Sequence, residues 1–383
     1  MTLLSKYRCD DGKTTEQAKK VKRSSLHGIA EYIATCGLNA ITPEACEEIT
    51  GGAHLFFSAP GTKKRVPLGL PSKHLFGLVR LQYNERMAEF PKRVRIVEVG
   101  PRDGLQNEQK TVPTEKKAEF INLLAAAGLS DIEVASFVHP KWVPQLADAE
   151  DLVKQLAFTP NVRYSALVPN MKGLDRALAS GIRRIAVFTA ASETFNRKNI
   201  NMGVQESIDV FKPVVARALK EGISVRGYVS TCFVCPYEGP VAKEKVADVT
   251  RLLFDLGVDE ISIGDTIGAA TPKDIETTVG YLLQQFPAER LAMHFHDTYG
   301  MAVANVYESL QMGIAVFDSS AGGLGGCPYA PGASGNVATE DLVYLFDRLG
   351  VETGVSLKLL RRASHLIAHE LARDLPSRVL KVS

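Results

Sequence analysis

Eight short runs rich in β-branched residues, each followed by a longer segment of helical period, fill the chain from residue 94 onward. The predicted strands are 94–99, 131–136, 162–168, 184–189, 224–230, 260–264, 291–296 and 315–319. The predicted helical segments between them include 114–127, 170–180, 203–221, 241–256, 272–285 and 300–312. Strands that alternate with helices are typical of βα units around a parallel sheet. Eight such units within about 250 residues predict a closed (β/α)8 TIM barrel.

Glycines stand where several of these helical segments end, just before the next strand. They are Gly128, Gly181, Gly222, Gly257 and Gly313. A helix often ends on a left-handed residue, which glycine adopts most easily, so these positions are predicted helix ends. No G-x-G-x-x-G follows the first strand, which argues against an open nucleotide-binding sheet. The segment 356–371 predicts an additional C-terminal helix packed outside the barrel.

The first ninety or so residues differ from the rest, because they are patchily charged and weakly periodic. We expect 1–90 to be an N-terminal extension and 91–383 to be the barrel domain. A targeting presequence is basic and almost free of acids, and Asp10, Asp11 and Glu16 argue against one. A cytoplasmic location is therefore expected, with the mitochondrial matrix as the alternative if the extension is a presequence. Met87, just before the first predicted strand, is a second candidate for the first residue of the natural protein.

The overall composition is that of a globular protein and excludes several classes of partner. Hydrophobic residues make up 45% and charged residues 23%, and the formal net charge is +2. This balance gives no reason to expect a nucleic acid or a membrane as partner. Six cysteines are too sparse for a disulfide scaffold. Cys232 and Cys235 have C-x-x-C spacing, but no second pair follows, so we interpret them as structural.

Arg102 and Asp103 stand at the exit of the first predicted strand, between Gly100 and Gly104. In a TIM barrel the catalytic groups lie at the carboxyl ends of the strands. The two side chains could therefore supply an anion stabiliser and a metal ligand. The alternative is a surface turn with a local ion pair, because Pro-Arg-Asp-Gly is also good turn chemistry.

His294 and His296 end the seventh predicted strand. Residues i and i+2 of a strand point to the same face, so both imidazoles should face the mouth of the barrel. Two neutral imidazoles on rigid backbone provide half of a metal site. A single strand histidine would more often be a satisfied core or surface group, but a pair at a barrel exit favours the metal.

A glycine-rich segment from Ala321 to Gly335 follows the eighth strand and contains Cys327. It predicts either a mobile lid or an ordinary connector. Cys327 lies between a glycine run and a proline, which favours a reactive thiol over a buried hydrophobic side chain. Asn336 either caps a helix that begins at Val337 or offers an amide oxygen to a metal.

Two carboxylates lie on other predicted strands. Glu133 is within strand two, where a buried carboxylate needs a partner, and Arg102 on the neighbouring strand is the obvious one. Asp265 ends strand six and is placed to act as an acid or a base. One aspartate, two imidazoles and one amide oxygen, without a thiolate, favour Mg2+ or Mn2+ over structural Zn2+.

Residues 94–370 resemble the 3-hydroxy-3-methylglutaryl-CoA lyases, a family within the metal-dependent lyase and Claisen-condensing barrel superfamily. The matching segments are VEVGPRDGLQNE (97–108), SFVHPKWVPQLAD (136–148), RGYVS (226–230), CPYEG (235–239), EISIGDTIG (260–268), HFHDTYG (294–300) and GLGGCPYAPGASGNVATEDLVY (323–344). The resemblance implies cleavage of 3-hydroxy-3-methylglutaryl-CoA to acetyl-CoA and acetoacetate, a reaction of leucine breakdown and ketone formation. It also implies an acyl-CoA substrate and a homodimer.

The resemblance further implies a role for each residue of the site. Arg102 would bind substrate and stabilise the enolate, with Glu133 positioning it, and Gln106 would contact the substrate. Asp265 would assist proton transfer at the substrate hydroxyl, and Cys327 would move a proton at the nascent acetyl carbon. The implied metal ligands are Asp103, His294, His296 and Asn336, with His294 also counted as catalytic.

Three other functions are compatible with the pattern. A relative could act on a longer 3-hydroxyacyl-CoA, or a condensing synthase of the same superfamily could form the carbon bond. The Gly-Gly-Cys-Pro segment that contains Cys327 favours the lyase. A non-catalytic barrel is disfavoured, because every polar group expected at the strand exits is retained.

Overall fold

The computed structural model describes residues 90–326 and 335–382, together with the backbone of two short strands nearer the N-terminus. By spatial contacts the chain divides into two compact units, Met1–Arg86 and Met87–Ser383. In the first unit, Leu55–Phe57 pairs antiparallel with Val66–Leu68. The rest of the extension lies outside the described residues.

Eight parallel strands of the second unit form a closed barrel, in which each strand pairs with its neighbours in the chain and the eighth pairs with the first. The strands are β1 Arg95–Glu98, β2 Asp131–Ser136, β3 Arg163–Leu167, β4 Arg184–Ala190, β5 Ser224–Ser230, β6 Glu260–Asp265, β7 Leu291–Phe295 and β8 Val316–Ser319. The predicted TIM barrel is confirmed, and each strand lies within one or two residues of its predicted bounds.

Helices connect consecutive strands and surround the barrel. They are α1 Thr114–Ala126, α2 Ala149–Gln155, α3 Met171–Ala179, α4 Glu193–Ile200, α5 Val204–Lys220, α6 Lys243–Asp255, α7 Pro272–Leu283, α8 Ala302–Gln311, α9 Thr339–Arg348, α10 Leu357–Leu371 and α11 Arg378–Lys381. The extra C-terminal helix is α10, which packs against α1. Helices α2 and α4 were not predicted, because segments of seven and eight residues are too short to show a helical period clearly.

Local chemistry explains where the helices begin and end. Asn170 caps α3, since its side chain accepts the N–H of Gly173 over 3.0 Å. Gly128, after α1, has φ of 99°, a conformation that favours glycine. The other four glycines predicted to end helices also have positive φ.

An apolar layer lies between the strands and the helices. Strand residues that contribute to it include Ile96, Val134, Ile185, Val229, Ile263 and Phe317, and helix residues include Phe120, Leu124, Leu174, Phe211, Leu253 and Leu282. Burial of this layer supplies the main driving force for folding. Among the described residues, no helix is long and apolar enough to cross a membrane.

The interior of the barrel differs from that of an ordinary TIM barrel, because charged residues replace many of the usual branched apolar ones. Arg226 is at its centre, where it donates to Glu260 over 2.7 Å and to Asp318 over 2.6 Å. Nearer the amino ends of the strands, Arg95 contacts both Asp131 and Glu260. Buried charges must be paired to persist. The barrel therefore contains a continuous ionic network beneath its mouth.

Candidate active site

Asp103, His294 and His296 come together at the carboxyl ends of the strands. Their potential ligand atoms all lie within 4.8 Å of one another. Asp103 Oδ2 is 4.0 Å from His294 Nε2 and 3.8 Å from His296 Nε2. These distances are too long for good hydrogen bonds, so Asp103 and the two imidazoles face one another without being hydrogen-bonded to one another.

A π-helical turn, Gly100–Gly104, directs Arg102 and Asp103 over the mouth of the barrel. The Val99 carbonyl accepts the backbone N–H groups of Arg102, Asp103 and Gly104. A Cβ on Gly100 would lie 2.5 Å from the carboxylate of Glu98, so a larger residue there would displace that buried side chain. The turn is therefore not an ordinary surface turn, and Arg102 is buried.

Asn336 reaches the same site because its backbone pairs with the chain after β7. Asn336 forms an antiparallel bridge with His296, and Val337 donates its N–H to Phe295. The Asn336 side chain then donates from Nδ2 to Asp103 Oδ2 over 2.9 Å. The alternative in which Asn336 caps a helix is wrong, because α9 begins at Thr339 and this extended pairing occupies the intervening residues.

The donor chemistry fits a divalent cation. Asn336 Oδ1 and His296 Nδ1 are buried without a hydrogen-bond partner among the described residues. His294 differs, because its Nδ1 lies 3.2 Å from Asp318 and its Nε2 faces Asp103. The two oxygens and two imidazole nitrogens of this set suit a divalent cation.

The pKa values of Asp103 and His296 are shifted toward the protonation states that cation binding requires. Burial opposes the charge of Asp103, but Arg102 and the imidazoles hold its pKa well below the usual range. Burial lowers the pKa of His296. An ionised carboxylate and a neutral imidazole are the ligand forms.

Arg102 is held by two carboxylates. It donates from Nη1 to Asp103 over 2.6 Å and from Nε to Glu133. Burial disfavours its charge, but Glu133 and Asp103 outweigh burial and raise the pKa of the guanidinium above its usual value. The structure thus pairs Glu133 with the residue that the sequence suggested. The result is a fixed positive charge beside the metal-ligand cluster.

Tyr228, on β5, was not singled out from the sequence. Its hydroxyl donates to Glu133 over 2.8 Å and accepts from Arg226 over 2.9 Å. The Arg102 guanidinium also lies over its ring, 5.4 Å from the centroid. Tyr228 could have been identified from the sequence, because Arg226 and Tyr228 occupy alternate positions that share one face of a strand.

Asp318, on β8, was also missed. It accepts hydrogen bonds from both terminal nitrogens of Arg226, from Ser262 and from His294. Burial opposes its charge, but Arg226 and His294 lower the pKa of Asp318. Asp318 could have been identified from the sequence as Glu133 was, because it is a charged residue inside a predicted strand.

Asp265 ends β6 beside this cluster and is 1% exposed. Its two oxygens accept the backbone N–H groups of Ala269 and Ala270 over 3.1 and 3.0 Å. Burial raises its pKa to about 6, although the two amides act in the opposite direction. A carboxyl group that titrates near neutrality can both accept and return a proton.

Two predicted site residues remain, Gln106 and Cys327. Gln106 is half-buried, and the next residue, Asn107, donates to the Gly326 carbonyl over 3.2 Å. Cys327 lies outside the described residues, which end at Gly326 and resume at Gly335.

Two buried carboxylates hold the start of the glycine-rich segment, and the sequence did not indicate them. Glu98 accepts the N–H groups of Gly100 and Ala321 and the hydroxyl of Thr339. Glu340 accepts the N–H of Gly322 over 2.7 Å. Burial raises the pKa of each glutamate to about 7.

Cys232 and Cys235 are buried free thiols. Cys232 Sγ donates to the Val229 carbonyl over 3.0 Å, and burial raises its pKa above the usual value. Such a thiol is inert, which agrees with a structural interpretation.

Comparison with known proteins places these features in a family. The HMGL-like family profile matches residues 93–367. The hydroxymethylglutaryl-CoA lyase YngG of Bacillus subtilis (strain 168) is 53% identical over 293 residues, 76% of this chain and 98% of the relative. The mitochondrial hydroxymethylglutaryl-CoA lyase of Bos taurus is 50% identical over 313 residues, 81% of this chain and 96% of the relative.

Solved structures agree with the sequence relatives. The crystal structure of the Bacillus subtilis HMG-CoA lyase matches with a TM-score of 0.76 at 52% identity, over 76% of this chain and 98% of that chain. An HMG-CoA lyase from Acinetobacter baumannii, in complex with coenzyme A and 3-methylmalate, matches with a TM-score of 0.74 at 37% identity, over 78% of this chain and 97% of that chain.

Proposed function

Because this chain belongs to the HMGL-like family, we propose that it is a divalent-metal-dependent lyase that cleaves 3-hydroxy-3-methylglutaryl-CoA to acetyl-CoA and acetoacetate. One observation carries the proposal beyond family membership. A cation-binding cluster and a buried guanidinium share one carboxylate, that of Asp103, at the mouth of the barrel. Such a site would present a cation and a guanidinium together to a substrate oxygen.

Asp103, His294, His296 and Asn336 would hold the cation, which we propose to be Mg2+ or Mn2+. The unpartnered Asn336 Oδ1 supports a place for the amide oxygen among the ligands. When bound, the cation supplies Lewis-acid polarisation of substrate oxygens and orients them.

Asp265 is the proposed base for the tertiary hydroxyl of the substrate. An alcohol is far too weak an acid to lose its proton unaided at neutral pH. The raised pKa of Asp265, about 6, brings the carboxylate close to the operating pH, where general-base catalysis is most effective. Its near-complete burial keeps it away from bulk water.

Arg102 is the proposed stabiliser of the departing enolate. As the C–C bond breaks, its electron pair moves onto the thioester carbonyl oxygen, where negative charge develops. A donor held in advance at that oxygen stabilises the transition state without reorganisation. Glu133 and Asp103 fix the guanidinium from two directions, so that it donates at a defined place.

Cys327 is the proposed acid that completes the reaction. The hydroxyl proton goes to Asp265, the C–C bond breaks to form the ketone of acetoacetate, and the enolate carbon takes a proton from the thiol. Gln106 would contact the substrate near the same segment. Asn107 donates to the Gly326 carbonyl, which brings the described residue just before Cys327 to the chain after β1.

The substrate is tested by incubating the full chain and Mg2+ with two thioesters. One is 3-hydroxy-3-methylglutaryl-CoA, and the other carries a longer alkyl group at the hydroxyl-bearing carbon. We expect acetoacetate from the first at a kcat/KM at least tenfold above cleavage of the second. Faster cleavage of the longer thioester would show that the enzyme prefers a longer 3-hydroxyacyl-CoA. Failure to cleave either one, with a folded protein that binds Mn2+, would refute lyase activity.

We also propose that residues 1–90 lie outside the catalytic unit, since the family match begins at residue 93. A chain beginning at Met87 should retain the kcat of the full chain, and a large loss would contradict this. The proposed state is a cytoplasmic homodimer. Light scattering of the purified protein tests the mass, and cell fractionation with a mitochondrial marker tests the location.

A further inference from the structure

His294 and Asp318 are paired neighbours on adjacent parallel strands. The backbone register of β7 and β8 places the two residues side by side. His294 Nδ1 lies 3.2 Å from Asp318 Oδ2, and Asp318 is almost completely buried. The contact is therefore fixed by the sheet itself and does not depend on a loop.

The chemistry of this contact determines where the imidazole carries its proton. The Asp318 carboxylate also accepts both terminal nitrogens of Arg226 and the hydroxyl of Ser262, so it is surrounded by donors. An ionised carboxylate can only accept, so His294 must donate from Nδ1. Its Nε2 then carries a lone pair and faces Asp103.

His296 provides a contrast within the same cluster. Its Nδ1 is buried and has no hydrogen-bond partner among the described residues. Its tautomer is therefore not set by a carboxylate from the barrel interior. Of the two imidazoles, His294 is the one that the network beneath the mouth holds.

We propose that Asp318 is a positioning residue that holds His294 in the Nδ1–H tautomer and so presents Nε2 to the divalent cation. The inference rests on the metal site of the proposed function. Arg226 keeps Asp318 in place by donating to both of its oxygens. A carboxylate that orients a metal-bound histidine in this way also raises the basicity of the ligand.

The Asp318→Asn variant tests the role of the carboxylate. Arg226 donates to both carboxylate oxygens over 2.6 and 3.0 Å, so the amide must turn its NH2 group toward one of these donors. With the NH2 group on the His294 side, the imidazole must accept at Nδ1 and carry its proton on Nε2. With the oxygen on that side, the neutral amide binds the Nδ1–H more weakly than the carboxylate does, so both orientations make the Nδ1–H tautomer less favourable. Ser262→Ala is the matched control, because it removes a donor from the same oxygen but leaves the carboxylate.

Two measurements on metal-free protein follow from this design. Long-range 1H–15N spectra of histidine-labelled protein should show His294 protonated at Nδ1 in the wild type and in Ser262→Ala, and a proton shifted at least in part to Nε2 in Asp318→Asn. Mn2+ titration followed by electron paramagnetic resonance should give a Kd about 10- to 100-fold weaker for Asp318→Asn and within about threefold of wild type for Ser262→Ala.

Several results would overturn the inference. A wild-type His294 protonated at Nε2 would do so even if Asp318→Asn failed to fold. Equal losses of Mn2+ affinity in both variants, or none in Asp318→Asn, would also refute it. A wild type that binds no Mn2+ would instead refute the metal site of the proposed function, and the spectra alone would then decide whether Asp318 sets the tautomer.

Discussion

Arg102 and Asp103 are adjacent in the chain, and a π-helical turn brings Arg102 Nη1 to 2.6 Å from Asp103 Oδ1. The other oxygen of Asp103 faces the two imidazoles. One carboxylate therefore joins the fixed guanidinium to the proposed cation site. This shared contact couples the two charges that the proposed chemistry needs.

Replacement of Arg102 by glutamine should abolish most of the turnover without removing the cation. Glutamine keeps a polar side chain but loses the charge at the enolate oxygen, so kcat should fall by at least about 100-fold. Steady-state acetoacetate release measures kcat, and Mn2+ titration measures binding. Arg251→Gln, on the outer surface of α6, should behave as wild type. A kcat within threefold of wild type for Arg102→Gln would remove Arg102 from the mechanism.

The pH dependence of kcat/KM should report Asp265. A base must be ionised, so the rate should rise with pH through the pKa of Asp265, about 6, and level above it. Asp265→Asn should lower kcat by about 100-fold or more and remove this acidic limb. Asp248→Asn, which alters an exposed carboxylate on α6, is the control. An unchanged limb in Asp265→Asn would assign the titration to another group.

Substitution of Cys327 by alanine separates proton transfer from metal binding. The thiol is proposed to protonate carbon, so turnover should fall strongly while the Kd for Mn2+ stays within about threefold of wild type. Cys235→Ala removes a buried thiol that is hydrogen-bonded to Ser192, and it controls for the general loss of a thiol. If Cys327→Ala released the metal, the thiol would have to be reassigned as a ligand.

Glu98 should make the fold less stable as pH rises from about 4.5 to about 7. In this window the unfolded chain has released the proton of Glu98, whereas the folded chain retains it because burial raises the pKa to about 7. Folding then takes up a proton, so stability falls as pH rises and levels off above about pH 7.

Urea unfolding of wild type and Glu98→Gln tests this dependence. The free energy of unfolding of the variant should increase relative to that of wild type between pH 5 and pH 7, because glutamine does not titrate. Glu276→Gln, at an exposed site on α7, should show a constant difference. A constant difference for Glu98→Gln as well would contradict the raised pKa.

The fold could be predicted because the barrel repeats one local pattern. Most strands have β-branched residues, and five of the helix ends that precede a strand have a glycine whose positive φ the structure confirms. Helices α2 and α4 could not be predicted, because their seven and eight residues hold too few apolar positions to define a period.

The site could be predicted only in part. His294 and His296 are recognisable from strand geometry alone, since positions i and i+2 share a face. Asn336 is different, because only the backbone bridge to His296 brings it to the site, and no spacing in the sequence encodes that bridge. The network from Asp318 to Tyr228 joins strands far apart in the chain, so local patterns could not show its contacts.

Dependence of acetoacetate release on an added cation tests most directly whether this barrel is a metal-dependent lyase. The full chain is stripped with a chelator, freed of the chelator, and assayed with 3-hydroxy-3-methylglutaryl-CoA before and after addition of Mg2+ or Mn2+. Activity should be lost on stripping and return with the cation in wild type, whereas His294→Ala should stay inactive. Full activity of the stripped wild-type protein would contradict the metal centre at Asp103, His294 and His296.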